Sequence, residues 1–146
     1  MRPFAALALL VALRCALPGG LSADELLAAR AALADGLPDV ARRHLEHHLE
    51  RNRERPGHSV PGLLLLCRAL YEQDRPEEIL RLLDTRPEVV AAGRAQGEFD
   101  FWRALALLDS GRAGQALEYI ERLTPEVLAG SQSDNLRRLS GRAYMA

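Results

Sequence analysis

The sequence predicts an all-α fold, a helix-hairpin repeat solenoid of about three and a half repeats, and three observations carry that prediction. Apolar content is 48% with only 5% aromatic residues, so the core must be built mainly from Leu, Ala and Val, which favours helices. From Asp24 onward apolar residues recur at spacings of three and four, the period of one helix face. Turns at Gly36, Asp74 and Gly111 interrupt that period at intervals of 38 and 37 residues, which marks a repeated unit.

Residues 1–23 precede the repeats and have a different character. Arg2 stands ahead of the apolar run Phe4–Leu13, and Pro18-Gly19-Gly20 then breaks the run before Ala23. This is the pattern of a secretory signal peptide, with cleavage expected near Ala23 and the mature chain in the periplasm or secreted. The run of 10 residues is too short to span a bilayer, so no stable transmembrane anchor is expected. Arg14 before Cys15 argues against a lipid-modified cysteine, which wants a small neighbour there. The mature part keeps 17 arginines and no lysine against 20 acids, so nucleic acid is not an expected partner. Its one cysteine, Cys67, has no internal disulfide partner, and stability must come from packing.

The repeat domain is expected over 24–146. Its first helix runs from about Asp24 to Leu33, with Leu26, Leu27, Ala29, Ala32 and Leu33 on the apolar side and two acids in the first turn, where the helix dipole favours them. It stops at Gly36, and Pro38 opens the next helix where a missing N–H costs nothing. Val40, Ala41, Leu45, His48 and Leu49 give that helix its inward stripe, closing hairpin one at 24–50. The segment from Arg51 to Pro61, polar and broken by two prolines, is expected to be a loop. Hairpin two, 62–84, begins with a run from Leu63 to Tyr71 so apolar that it must be central, turns at Asp74, and continues through Ile79, Leu80, Leu82 and Leu83. A linker holding Pro87-Glu88-Val89 leads to hairpin three, 98–123, and the same three-residue phrase returns at Pro125, 38 residues later.

The register extends beyond the turns. Seven residues before each turn lies a small side chain, at Ala29, Cys67 and Ala104. Five after lies Ala41, Ile79 or Ala116, and nine after lies Leu45, Leu83 or Ile120. Small residues let the paired helices approach, and the larger ones fill the groove against the next hairpin. A further step of 37 from Ala104 reaches Gly141, so 133–146 reads as the first helix of a fourth copy whose partner helix would follow Ala146.

With the small residues Ala29, Cys67, Ala104 and Gly141, the turn glycines Gly36 and Gly111, Ala41 and Ala116, and the phrase Gly141-Arg142-Ala143-Tyr144, the chain from Asp24 to Ala146 resembles the tetratricopeptide repeat family. It departs from that family in a period three or four residues longer, in Asp74 at the second turn and in Ile79 after it. The resemblance implies a scaffold or adaptor for protein–protein interaction, with first helices lining a groove for a peptide, and it implies neither catalysis nor a cofactor.

Three side-chain groups are candidates for chemistry. His44 and His48 stand one helical turn apart, and with His47 they define an alternative reading as a metal-binding envelope protein; the ligand count falls short, and a packing role for His48 is preferred. Cys67, inside Leu63–Leu70, is expected to be buried and inert. Arg30, Arg68 and Arg142 share one register position, and Arg138 lies one turn before Arg142, so these four are the candidate peptide-binding row for acidic or C-terminal carboxylate segments of a partner. The chain is not expected to be an enzyme itself, although it could be the accessory repeat segment of a larger one. Self-association through the incomplete C-terminal repeat is expected.

Overall fold

The computed structural model describes residues 20–92 and 96–123, all helical hairpins and turns with no strand among them. Helix α1 spans Gly20–Ala34, α2 Pro38–Arg51, α3 Pro56–Glu72, α4 Pro76–Asp84, α5 Pro87–Ala91, α6 Gln96–Asp109 and α7 Ala113–Ile120. The chain is therefore all-α over the described residues.

The turn residues aligned by sequence are the points where the backbone turns left-handed. Gly36 has φ 70°, Asp74 φ 55° and Gly111 φ 74°, and no other described residue has a positive φ. Each closes its helix with the same pair of hydrogen bonds. Leu37 N–H donates to the Ala32 carbonyl at 2.8 Å, and Gly36 N–H to Leu33 at 3.1 Å. After α3, Arg75 N–H donates to Leu70 at 3.0 Å and Asp74 N–H to Tyr71 at 3.0 Å. After α6, Arg112 N–H donates to Leu107 at 2.8 Å and Gly111 N–H to Leu108 at 3.0 Å. The residue completing each stop is also the N-cap of the next helix, so the second helix of every hairpin leaves in a fixed direction. None of these caps makes a side-chain cap bond. Pro38 and Pro76 supply the helical φ instead, and the residue before each lies outside the helical region, Leu37 at φ −112°, ψ 65° and Arg75 at φ −119°, ψ 59°.

Helices pack on their neighbours in sequence. Helix α1 touches α2 and α3, α3 touches α2, α4, α5 and α6, and α6 touches α4, α5 and α7. Helices α2 and α4 both lie on α3 without touching each other. The close-packed positions are occupied as the spacing requires: Ala29, Cys67 and Ala104 are fully buried, as are Ala41, Ile79 and Ala116, with Leu45, Leu83 and Ile120 buried beside them. A methyl or thiol at Ala29, Cys67 and Ala104 lets the paired helix axes come close.

Three expectations change. The segment from Pro56 to Pro61 is the first part of α3 and not a loop. Pro56 sits at N1, as Pro38 and Pro76 do, and Pro61 removes the hydrogen bond to the Gly57 carbonyl. Gly57 is exposed with open space about its Cα, so water can take the place of that bond. The linker phrase at Pro87 forms the short helix α5, whose Val89 is buried against its neighbours. Leu27, expected on the apolar face, is 67% exposed, because α1 has helices only on the side facing α2 and α3. The signal segment up to residue 19, and everything after Leu123, including Arg138, Arg142 and the fourth copy, lie outside the described residues.

A left-handed Asp costs roughly 1–2 kcal/mol that glycine avoids. Asp74→Gly is accordingly expected to raise stability by about 0.5–1 kcal/mol in urea unfolding, and Gly111→Ala to lower it by about 1 kcal/mol, the change at Gly111 being purely conformational since an added Cβ there meets nothing within 4 Å.

Candidate functional site

The histidines divide by burial. His44 and His47 are exposed, whereas His48 is buried between hairpins one and two. His48 Nε2 donates to the His58 carbonyl at 3.2 Å, Asn52 Nδ2 donates to the His48 carbonyl at 2.8 Å, and Ser59 Oγ donates to the Asn52 carbonyl at 3.1 Å. These buried bonds tie the end of α2 to the start of α3, which explains why a polar ring and a serine are tolerated in the core. Gly62 leaves the room: a Cβ there would stand 2.6 Å from His48 Cδ2. On the other side of α2, Glu25 of α1 pairs with His47 and with Arg51 Nη1 at 3.3 Å, and its second oxygen lies 3.9 Å from His48 Nδ1. His48 is thus a packing residue clamped from two sides. Among the described residues no group of three His, Cys, Asp or Glu side chains is placed to hold a metal ion.

Cys67 is fully buried, and desolvation pushes its thiol up to about 12, against a smaller opposing pull from the positive charge of Arg103. A neutral thiol in that position packs and does not attack.

Of the proposed arginine row, Arg30 on α1 and Arg68 on α3 are exposed. Arg68 Nε bonds Glu72 at 2.9 Å within its own helix. The equivalent residue of α6, Leu105, is buried, so among the described residues the row comprises Arg30 and Arg68 alone.

Surface concavity lies elsewhere, between successive second helices. One open cleft of about 600 Å³ lies between α2 and α4 over α3, and a second of about 420 Å³ between α4 and α7 over α6. Their linings correspond in register. Leu66 and Leu70 in the first become Arg103 and Leu107 in the second, 37 residues on, and Glu46 becomes Asp84, 38 residues on. Glu78, Arg81 and Leu82 become Gln115, Glu118 and Tyr119. The shape recurs, then, while the chemistry changes. No family model, curated protein or solved structure matches this chain.

The two clefts differ in what is already satisfied. In the second, Arg103 pairs with Asp84 and lies 5.6 Å from the Tyr119 ring centre, and Arg112 holds Glu77 through two contacts at 2.9 and 3.0 Å. In the first, Glu46, Glu50 and Glu78 have arginine partners in Arg42, Arg53 and Arg75, each three or four residues away. Arg81 and Arg86 line the same cleft and have no carboxylate within ion-pair distance among the described residues. Neither arginine belongs to the first-helix row expected from the sequence. The register that aligns the turns also aligns the clefts, but it does not tell which face is left uncovered when two helices straddle a third.

Two outcomes follow for the buried groups. Gly62→Ala is expected to cost about 1–3 kcal/mol in urea unfolding, since the hydrogen-bonded His48 ring cannot retreat. Cys67 should resist thiol reagents at pH 8 until the protein is unfolded. Because the folded thiol stays protonated up to about 12 while the unfolded one ionises from about 9, stability should fall as pH rises between those values, by up to about 1.4 kcal/mol per unit, a loss that Cys67→Ala removes.

Proposed function

We propose that the chain is a tetratricopeptide-like repeat scaffold that binds a segment of another protein and works in the bacterial cell envelope after export. The reading is supported above all by recurrence. One left-handed stop and one buried small-residue position appear three times in a single register, and one cleft shape appears twice. Hairpins repeated in this way present side chains at fixed intervals along an extended surface, which suits recognition of a peptide or helix. Arg30 and Arg68, both exposed, belong to the proposed contact row for acidic segments, together with Arg138 and Arg142 outside the described residues. The reading is of a binding protein and not an enzyme.

Export rests on the pattern of residues 1–23. Cleavage near Ala23 would trim the first turn of α1 and leave Asp24 and Glu25 at its new start, where acids favour a helix N-terminus. Among the described residues no helix is long and apolar enough to cross a membrane.

A peptide array probed with the mature chain tests the scaffold reading. The expected outcome is saturable binding of a subset of peptides, enriched in acidic ones and weakened by salt. Binding to no peptide above background would contradict it. Mass spectrometry of the expressed protein should give a mature N-terminus at or within a few residues of Asp24, and a cytoplasmic product retaining residues 1–23 would contradict export.

A further inference from the structure

We infer that the bound segment of the partner protein is extended, and that it seats an apolar side chain at every third residue on a row formed by Leu27, Leu65 and Trp102, beside the arginine row. The inference rests on the scaffold reading above and deepens it, adding to the acidic requirement an apolar one and a backbone conformation.

Register supplies the row. Leu27, Leu65 and Trp102 each stand nine residues before a left-handed turn, at Gly36, Asp74 and Gly111, so they project from equivalent places on α1, α3 and α6. Helix α1 touches α3, and α3 touches α6, which sets the three side by side. All three are reachable in the free chain: Leu27 is 67% exposed, and Leu65 and Trp102 are half-buried. Tyr71 of α3, 37% exposed, leans on Trp102 with ring centres 5.8 Å apart, and Phe101 meets the same indole at 5.7 Å. Single exposed apolar side chains are ordinary on a protein surface. A recurrence in register on three adjoining helices, ending in an exposed aromatic pair, is the composition of a recognition surface.

Charge runs beside it. Arg30 and Arg68 lie three residues after Leu27 and Leu65, on the same helix faces and about 4.5 Å further along each axis. Arg30 has no ion pair among the described residues. Arg68 holds Glu72 in an exposed pair one turn apart, a contact worth little in water, so an incoming carboxylate can share that guanidinium. The third place in the arginine row is the buried Leu105, and Asp109, exposed two turns on from Trp102, adds an acid at that end. Positive charge is therefore offered over hairpins one and two, and aromatic surface over hairpin three. A matching segment carries carboxylates beside its first two apolar residues and none beside the third.

Spacing selects the conformation. Packed helices lie about 8–10 Å apart, so a chain crossing α1, α3 and α6 must supply an anchor at that interval. A polyproline II segment, with three residues per turn and a rise of about 3.1 Å, returns to the same face every three residues over about 9 Å. A β-strand returns after two residues, roughly 7 Å, and falls short of the next helix.

The test titrates the mature chain with fluorescein-labelled serine-based peptides, read by anisotropy. One carries leucine at every third position with glutamate after the first two leucines; others space the leucines by two or by seven, or replace them with alanine. The three-residue spacing should bind most tightly. Unlabelled, the same peptide should shift the emission of Trp102, the single tryptophan of the chain. Leu27→Ser with Tyr71→Ser should weaken it at least tenfold with the helical circular dichroism unchanged, both side chains being exposed. Leu37→Ser, at an exposed leucine in the first turn and off the row, should leave it within twofold. Equal binding of the alanine peptide or of either other spacing, an unmoved Trp102 emission at saturation, or full affinity in the double variant would overturn the inference while leaving the scaffold reading in place. Binding of no peptide would end both. A dimer of the free chain, dispersed by Leu27→Ser with Tyr71→Ser, would mean that a second copy covers the row, which also overturns the inference.

Discussion

A single backbone device, the left-handed residue at the end of the first helix of each hairpin, sets the geometry on which everything else depends. With φ positive at Gly36, Asp74 and Gly111, the chain reverses within two residues, and the amide that completes the stop belongs to the N-cap of the following helix. Because stop and start share residues, the angle between paired helices has little freedom. Small residues must then sit where the helices come closest, and Ala29, Cys67 and Ala104 are fully buried there. The loss of a usual N-cap side chain is offset by proline, which holds the first residue of α2, α3, α4 and α5 in helical φ at no cost in hydrogen bonds.

Stacking hairpins of this kind determines where the surface is concave. The second helices diverge over the first helix of the next hairpin, and a cleft opens between each pair of them. The same backbone can therefore carry different chemistry in successive clefts. One has a leucine floor and two arginines without a carboxylate partner among the described residues, and the next has its arginines already bound to Asp84 and Glu77. At the joint between hairpins one and two, a buried polar chain of His48, Asn52 and Ser59 replaces apolar contact, and Gly62 is small so that the imidazole fits. That joint depends on several hydrogen bonds at once, each of which fixes the direction as well as the distance of the contact.

Much of this was legible in the residues. The turns and the buried small positions, Cys67 among them, follow from spacing, since each is a local requirement repeated at 37 or 38 residues, and the packing role of His48 follows from its place on the inward stripe of α2. The start of α3 was not legible, because prolines at 56 and 61 signal a loop unless one of them stands at N1 and the other frees a carbonyl that water can reach. Leu27 was misplaced because periodicity shows which side of a helix is apolar but not whether a neighbour covers it. The clefts were missed for a related reason: they arise from two helices that do not touch, and no pattern within either helix records a separation.

The most direct measure of the account is amide hydrogen exchange at Leu37, Arg75 and Arg112, the three donors that close the left-handed stops at 2.8, 3.0 and 2.8 Å. All three begin a helix, a place where amides commonly face water, yet here each is bonded back across the turn to Ala32, Leu70 or Leu107. The account predicts that all three are protected to a similar degree, well above the exposed amides of Glu77 and Gly114 in the following first turns. Exchange at unprotected rates at these three positions, with the helices themselves intact, would contradict it.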